Sequence, residues 1–246
     1  MAYKGSFKLN NLTISSSDIY AGGPKKDGIP SIDDPIFIKA DLTSYLNDKE
    51  FVLGVYINGI AKAYPINILN YHEIVNDQFG EDAIAITYCP LCNSGIVFNT
   101  SINGQTLQFG VSGLLYQSDV LLYDRSSESL WSQILGQAIS GKYSGTSLEV
   151  IPSKIVTWGD WKKEHPETLL LSDQTKYIRN YNIDPYLDYY SSEKVLFPVE
   201  LKRKKFNNKE KVLVIEFDEH VKIYPFKELK KLNKPIIEDA IDEVAF

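Results

Sequence analysis

The chain has 246 residues, enough for one large or two small domains with a sizeable buried core. At 43% hydrophobic and 24% charged it has a globular composition, not a disordered one. The net charge of −6 supplies no general basic face, so no nucleic-acid partner is expected. The one basic run, Lys202-Arg203-Lys204-Lys205, is short, has Glu200 and Glu210 nearby, and reads as a solvated loop. No apolar run approaches the roughly 20 residues of a membrane helix, so no membrane span is expected. Met1 to Asn10 lacks a signal-peptide core. The expected location is cytoplasmic as the chain stands, and extracytoplasmic if a signal segment has been removed.

Residues 1–27 are polar and turn-rich, with Gly22-Gly23-Pro24 as punctuation, and predict an extended lead-in with one strand near Phe7 to Ile14. Asp33-Asp34-Pro35 is a turn before the short apolar run Ile36-Phe37-Ile38. Asn58-Gly59, between Phe51–Ile57 and Ile60–Tyr64, is the strongest hairpin signal in the chain, because a type I′ turn needs positive φ at both central residues. Pro65 suits the first turn of a helix, which would place Leu69, His72 and Glu73 on one face and fail near Asn76-Asp77. The run Ile84 to Phe98 reads as strand, turn, strand, with Cys89 and Cys92 on the turn. Asn103-Gly104 predicts another hairpin, between Ile96–Phe98 and Leu107–Phe109. From Val111 to Trp131 the chain is rich in Gly, Ser and Tyr, with charges among leucines. Thr157 to His165 predicts a short helix with Trp158 and Trp161 at i and i+3, ended by Pro166.

Val52 to Asn70 can be laid on Val212 to Lys230 without gaps, a shift of about 160 positions. Val52-Leu53 matches Val212-Leu213, Lys62 matches Lys222, Tyr64-Pro65 matches Tyr224-Pro225, and Leu69 matches Leu229. Two copies of one hairpin-then-helix unit are the natural reading, set against chance similarity between hairpins that share turn chemistry. In that register only the first copy carries cysteines.

Cys89 and Cys92 are the only two cysteines, too few for a disulfide scaffold. At C-x-x-C spacing they can reach one another or share one ion, and three readings compete. A metal site would add His72 as third ligand to the two thiolates, with an open fourth position, and would take one copper or zinc ion. A thiol–disulfide pair would use Cys89 as nucleophile and Cys92 as resolving thiol. The helix that activates the thioredoxin-like motif is missing, however, because Ile96-Val97-Phe98 promises a strand. The third reading is a structural disulfide or two inert thiols. Glu73 would orient His72 or handle protons. Asp124 and Arg125 either anchor a loop through ion pairs or, with Arg125 as a fork, hold an anionic or peptide-like substrate. Tyr88, Tyr116, Ser118, Asp119 and Trp131 are the candidate pocket wall.

Several stretches carry a resemblance: Ala63-Tyr64-Pro65, His72-Glu73-Ile74-Val75-Asn76-Asp77, Thr87 to Cys92, Phe109 to Tyr116, Tyr123-Asp124-Arg125, Ser129-Leu130-Trp131-Ser132-Gln133 and Tyr181 to Tyr186. Together they resemble the family called domain of unknown function 3179, over roughly Gly28 to the C-terminus. The resemblance implies little mechanism, since the family's name records none. Its members often carry export signals or lipoprotein anchors, and neither is visible here.

The expected fold is β-rich α+β, two related β-hairpin-helix units packed into one globular body. The expected divisions are a lead-in over 1–27, a first unit with the Cys/His site over 28–187, and a shorter repeat over 188–246. The expected function is metal binding, with a metal-dependent oxidoreductase as the enzyme class to test. The rivals are a thiol-disulfide reductase and a non-enzymatic binding module with a structural disulfide. Whether the protein is an enzyme is left open, and its partner is an unidentified small molecule or peptide.

Overall fold

The computed structural model describes residues 2–200, 205–217, 220–232, 236, 238–241 and 244–245. The basic run at 202–205 therefore lies outside the described residues, apart from Lys205. The chain is α+β and β-rich, and it divides into two compact units, residues 1–191 with 196–200, and 192–195 with 201–246.

The first unit is a stack of three sheets. The middle sheet has four strands in the order Val150–Ile151, Ser94–Asn99, Asp82–Cys89, Ile74–Phe79. One flanking sheet orders Gln137–Ser140, Leu130–Ser132, Asp119–Asp124, Phe109–Tyr116 and Ile19–Ala21. The other orders Ser153–Thr157, Phe51–Ile57, Ile60–Pro65, Leu169–Leu171 and Phe37–Lys39, with Leu169–Leu171 parallel to Ile60–Pro65.

This stacking explains the unbroken apolar run in Asp82–Cys89, since a strand covered on both faces needs no polar alternation. Ala85 and Cys89 pack toward Phe109, Val111, Leu122 and Trp131. Ile84, Ile86 and Tyr88 pack toward Leu53, Val55, Tyr64 and Leu69 on the opposite side. The period-2 geometry of a strand thus sends Cys89 to one interface and its neighbour Tyr88 to the other.

The helix Ile66–His72 follows Pro65 as expected but stops sooner than predicted. Asn76 and Asp77, expected to end it, sit inside the strand Ile74–Phe79. The helix ends where Glu73 takes φ 58° and donates its N–H to the Leu69 carbonyl, turning the chain straight into that strand. A hairpin forms at Asn103-Gly104, but between Ser101–Ile102 and Gln105–Thr106; the expected flanks do not pair, since Ile96–Phe98 lies in the middle sheet beside Ala85 to Thr87 and Phe109 pairs with Asp124 in the flanking sheet. Residues 1–27 do more than lead in. Ile19–Ala21 pairs with Leu114 to Tyr116, and Phe7, Leu9 and Ile19 cover the outer face of that sheet.

Lys62 is buried between the rings of Phe37 and Phe79 and donates to both Asp77 oxygens, at 3.0 and 2.8 Å, and to the Gln78 carbonyl at 2.8 Å. The Tyr64 hydroxyl donates to the same carboxylate at 2.5 Å. This network pins the first hairpin to the strand that starts beside Glu73.

In the second unit Val212–Phe217 pairs with His220–Pro225, and the helix Phe226–Leu232 follows. Val212 faces Pro225 and Ile215 faces Lys222, as Val52 faces Pro65 and Val55 faces Lys62. Lys222 donates to Asp239 at 2.8 Å, and Tyr224 donates to the same carboxylate at 2.5 Å.

Candidate functional site

Two tight turns from neighbouring sheets meet at the buried end of the strand Asp82–Cys89. The first closes the Cys89–Ser94 pair, with Cys92 N–H donating to the Cys89 carbonyl at 3.2 Å and Asn93 at φ 51°. The second closes the Tyr116–Asp119 pair through Gln117 and Ser118, both at positive φ, 51° and 63°. That turn points the Ser118 carbonyl at the cysteines. Both thiols donate to it, Cys92 at 3.5 Å and Cys89 at 3.9 Å. Both cysteines are free thiols, Cys89 buried and Cys92 half-buried.

The two sulfurs and a carboxylate oxygen of Asp119 lie within 4.8 Å of one another. Asp119 is 2% exposed. Its Oδ2 accepts from Ser132 Oγ at 2.8 Å and from Ile134 N–H at 3.1 Å, while Oδ1 has no protein partner among the described residues. Glu73 is 6% exposed and its Oε2 is likewise unpartnered, as is the Ser118 hydroxyl. The Glu73 carbonyl accepts from Tyr88 N–H at 2.7 Å, which sets this residue alongside the Cys strand.

Burial dominates the electrostatics. It pushes the Glu73 carboxyl up to about 8, with the Asp119 charge adding to the rise. Burial pushes Asp119 up to about 7, against the hydrogen bonds from Ile134 and Ser132 that pull it down. The Cys89 thiol is also pushed well up, by burial first, then by Cys92, Asp119 and Glu73. The charged groups acting on Glu73 and Cys89 among the described residues are all acidic.

His72 does not join this group. Its Nδ1 lies 2.8 Å from the Pro30 carbonyl and its Nε2 lies 2.7 Å from the Tyr181 hydroxyl. A carbonyl only accepts, so Nδ1 carries the proton and Nε2 accepts from Tyr181. Asp119, expected in the pocket wall, takes the place in the donor group that His72 was expected to fill. The sequence carried a weak signal for it: two β-rich runs, Phe109–Tyr116 and Asp119–Asp124, separated by two residues.

Asp124 and Arg125, expected either to anchor a loop or to hold a substrate in a catalytic site, lie outside the Cys89, Cys92 and Asp119 group and make many structural contacts. Asp124 accepts from Ser126 Oγ at 2.8 Å, Ser127 N–H at 2.6 Å, Ser127 Oγ at 2.7 Å and Trp131 Nε1 at 3.1 Å. Arg125 donates to Ser31 at 2.8 Å, Tyr123 at 2.9 Å, Asp33 at 3.3 Å and Asp27 at 3.5 Å, binding the 27–33 segment to the sheet. The loop-anchoring reading of this pair fits that geometry. Trp131 is wholly buried against Phe109 and Tyr143 in the core between the sheets. Tyr116 packs on the outer cluster around Phe7 and Ile19. Tyr88 is buried, with its hydroxyl donating to Asn93 Oδ1 at 2.8 Å across the base of the Cys turn.

No helix among the described residues is long and apolar enough to cross a membrane. Comparison with curated proteins and with solved structures gives no match to either. A family model described as "Protein of unknown function (DUF3179)" matches residues 26–245, and the chain belongs to that family.

Proposed function

We propose that this member of a family without an assigned activity binds one metal ion through Cys89, Cys92 and Asp119, with zinc as the best fit. The observation that carries the reading is the convergence of two sulfurs and a buried, half-unpartnered carboxylate within 4.8 Å. Tetrahedral zinc, with Zn–S near 2.3 Å and Zn–O near 2.0–2.2 Å, sets such donors roughly 3.5–3.8 Å apart, so donors within 4.8 Å of one another need to close by at most about 1 Å. A buried acidic cluster without a basic partner among the described residues is costly when ionised, and a divalent cation neutralises it. Two thiolates with one carboxylate mix soft and hard donors, which suits zinc better than copper(I). Three protein donors leave the fourth position for water or substrate, the arrangement of catalytic zinc sites, and a metal-dependent oxidoreductase remains the finer enzyme class proposed.

The thiol–disulfide reading draws on the same two free thiols. Against it, burial pushes the Cys89 thiol up, and among the described residues neither a helix N-terminus nor a basic side chain favours its thiolate. The free thiols also weigh against a binding module stapled by a structural disulfide.

The reading of the second unit as a copy of the first hairpin and helix is supported by the shared register and by the Lys-Tyr-Asp network in both. In that reading the second copy is scaffold, since both cysteines belong to the first.

Elemental analysis of protein purified without an affinity tag tests the metal reading. The expected result is about one zinc per chain, with affinity reduced at least about tenfold in Cys89→Ser, Cys92→Ser and Asp119→Asn. A metal-free protein whose zinc affinity is the same with and without Cys89 would overturn it.

A further inference from the structure

The donors come from two different sheets. Cys89 and Cys92 sit on a turn of the middle sheet, and Asp119 on a turn of the flanking one. Apolar packing holds such sheets together but is non-directional, so it does not fix how far one turn slides past the other. Donors that need to close by at most about 1 Å require that offset to be set by something directional. Gln133 spans the gap beside them. It follows the strand Leu130–Ser132 and is wholly buried. Its Nε2 donates to the Ser94 carbonyl at 3.1 Å and to Thr87 Oγ1 at 3.2 Å, and its Oε1 accepts from Ser94 Oγ at 3.0 Å. Ser94 is the residue that pairs with Cys89 across the Cys turn. On the other side, the neighbours of Gln133 grip Asp119, since Ser132 Oγ and Ile134 N–H both donate to its Oδ2. The Gln133 N–H itself donates to the Val120 carbonyl at 3.3 Å. Asn76 ties the same two sheets through both backbone groups of Phe109, at 2.8 and 2.9 Å, but at the open end of the hairpin, opposite the turn that carries Asp119.

We infer that Gln133 is the positioning residue of the metal site: its amide locks the Cys turn to the 132–134 segment that grips Asp119, and so sets the separation between the sulfurs and the carboxylate. The inference rests on the metal reading above and deepens it. Gln133 is not itself a donor, because both ends of its amide are engaged by Ser94 and Thr87. Without the amide, each donor would keep its place on its own turn, while the two turns would lose their shared anchor. The site would then keep all three donors but hold them at the wrong spacing. An outer group of this kind acts on affinity and geometry together, as the partners that orient metal ligands do.

The test titrates the full chain with cobalt(II), whose visible bands report both affinity and coordination geometry. Gln133→Met fills similar space without the amide, and should bind cobalt at least about tenfold more weakly than the native protein, with shifted bands. Ser94→Ala removes one of the three bonds to the amide and should weaken binding by at least about threefold. The double variant should lie within about twofold of Gln133→Met alone, since both changes break one tie. Gly54→Ala is the control for lost stability, because its added Cβ meets the Trp161 ring and none of the donors. It should keep the native bands and an affinity within about threefold of native. Native affinity and bands in folded Gln133→Met would overturn the inference, and if that variant does not fold, the same result in Ser94→Ala would overturn it. Equal weakening in Gly54→Ala would trace the effect to stability and overturn it as well. Failure of the native protein to take up cobalt would instead overturn the metal reading itself, and the inference with it.

Discussion

Replacing Asp77 by Ala removes the counter-ion of Lys62 and the acceptor of Tyr64 in one step. The Lys62 and Asp77 side chains are only 9% and 7% exposed, so water does not replace what is lost. An ion left uncompensated in such a place costs about 3–5 kcal/mol. Lys62 keeps the Gln78 carbonyl and its two flanking rings, at 4.3 and 4.6 Å, which favours the lower end of that range. At roughly 2–4 °C per kcal/mol for a unit of this size, the midpoint of thermal unfolding should fall by on the order of 10 °C. Urea unfolding of Asp77→Ala, Lys62→Met and the double variant closes a double-mutant cycle, and the double variant should be more stable than additivity allows by at least about 2 kcal/mol. The matching Asp239→Ala should cost much less, because Lys222 and Asp239 are 36% and 39% exposed. A loss below about 1 kcal/mol for Asp77→Ala, or strict additivity, would refute the reasoning.

Three further outcomes follow from particular contacts. Gly54→Ala would place a Cβ 2.5 Å from the Trp161 ring, so it should destabilise by about 1–3 kcal/mol, and an unchanged thermal midpoint would count against the packing described. Asp124→Ala strands the buried Trp131 N–H and the 126–127 turn, and should cost about 2–4 kcal/mol while leaving metal content unchanged. Metal loss without destabilisation would restore Asp124 to the site. Burial holds the His72 imidazole below its ordinary value of 6.5, so the unfolded chain takes up that proton first as pH falls. Its contribution to stability is therefore full above pH 6.5 and is lost on acidification. The loss in unfolding free energy from about pH 7 to pH 5 should be smaller in His72→Asn, which lacks that titration, and an equal loss would contradict the assignment.

Local chemistry made part of this molecule legible in advance. Asn58-Gly59 announced its hairpin because that pair adopts positive φ at little cost, and the β-branched run before Cys89 announced a strand. The Cys turn followed from the same reasoning. What stayed hidden was of two kinds. Gln117-Ser118 makes a hairpin turn with both residues at positive φ, though neither is Asn or Gly, so the turn that delivers Asp119 carried no strong signal. The pairing of that turn with the cysteines is a contact between two sheets, fixed by stacking and not by anything local to either stretch. The helix ending at His72 was misjudged for a related reason. Glu73 takes a left-handed conformation that its residue type does not advertise, and the three residues expected on one face separate there into a core leucine, a tethered histidine and a carboxylate at the site.

X-ray absorption at the zinc edge of the loaded protein tests the donor set most directly, because sulfur, carboxylate oxygen and imidazole scatter differently. Two sulfurs near 2.3 Å and oxygen near 2.0–2.2 Å, without the outer-shell scattering of an imidazole ring, are predicted, and Asp119→Asn should alter the oxygen shell while leaving the sulfurs. A shell without sulfur, or one that shows an imidazole and does not respond to Asp119→Asn, would contradict the assignment of Cys89, Cys92 and Asp119.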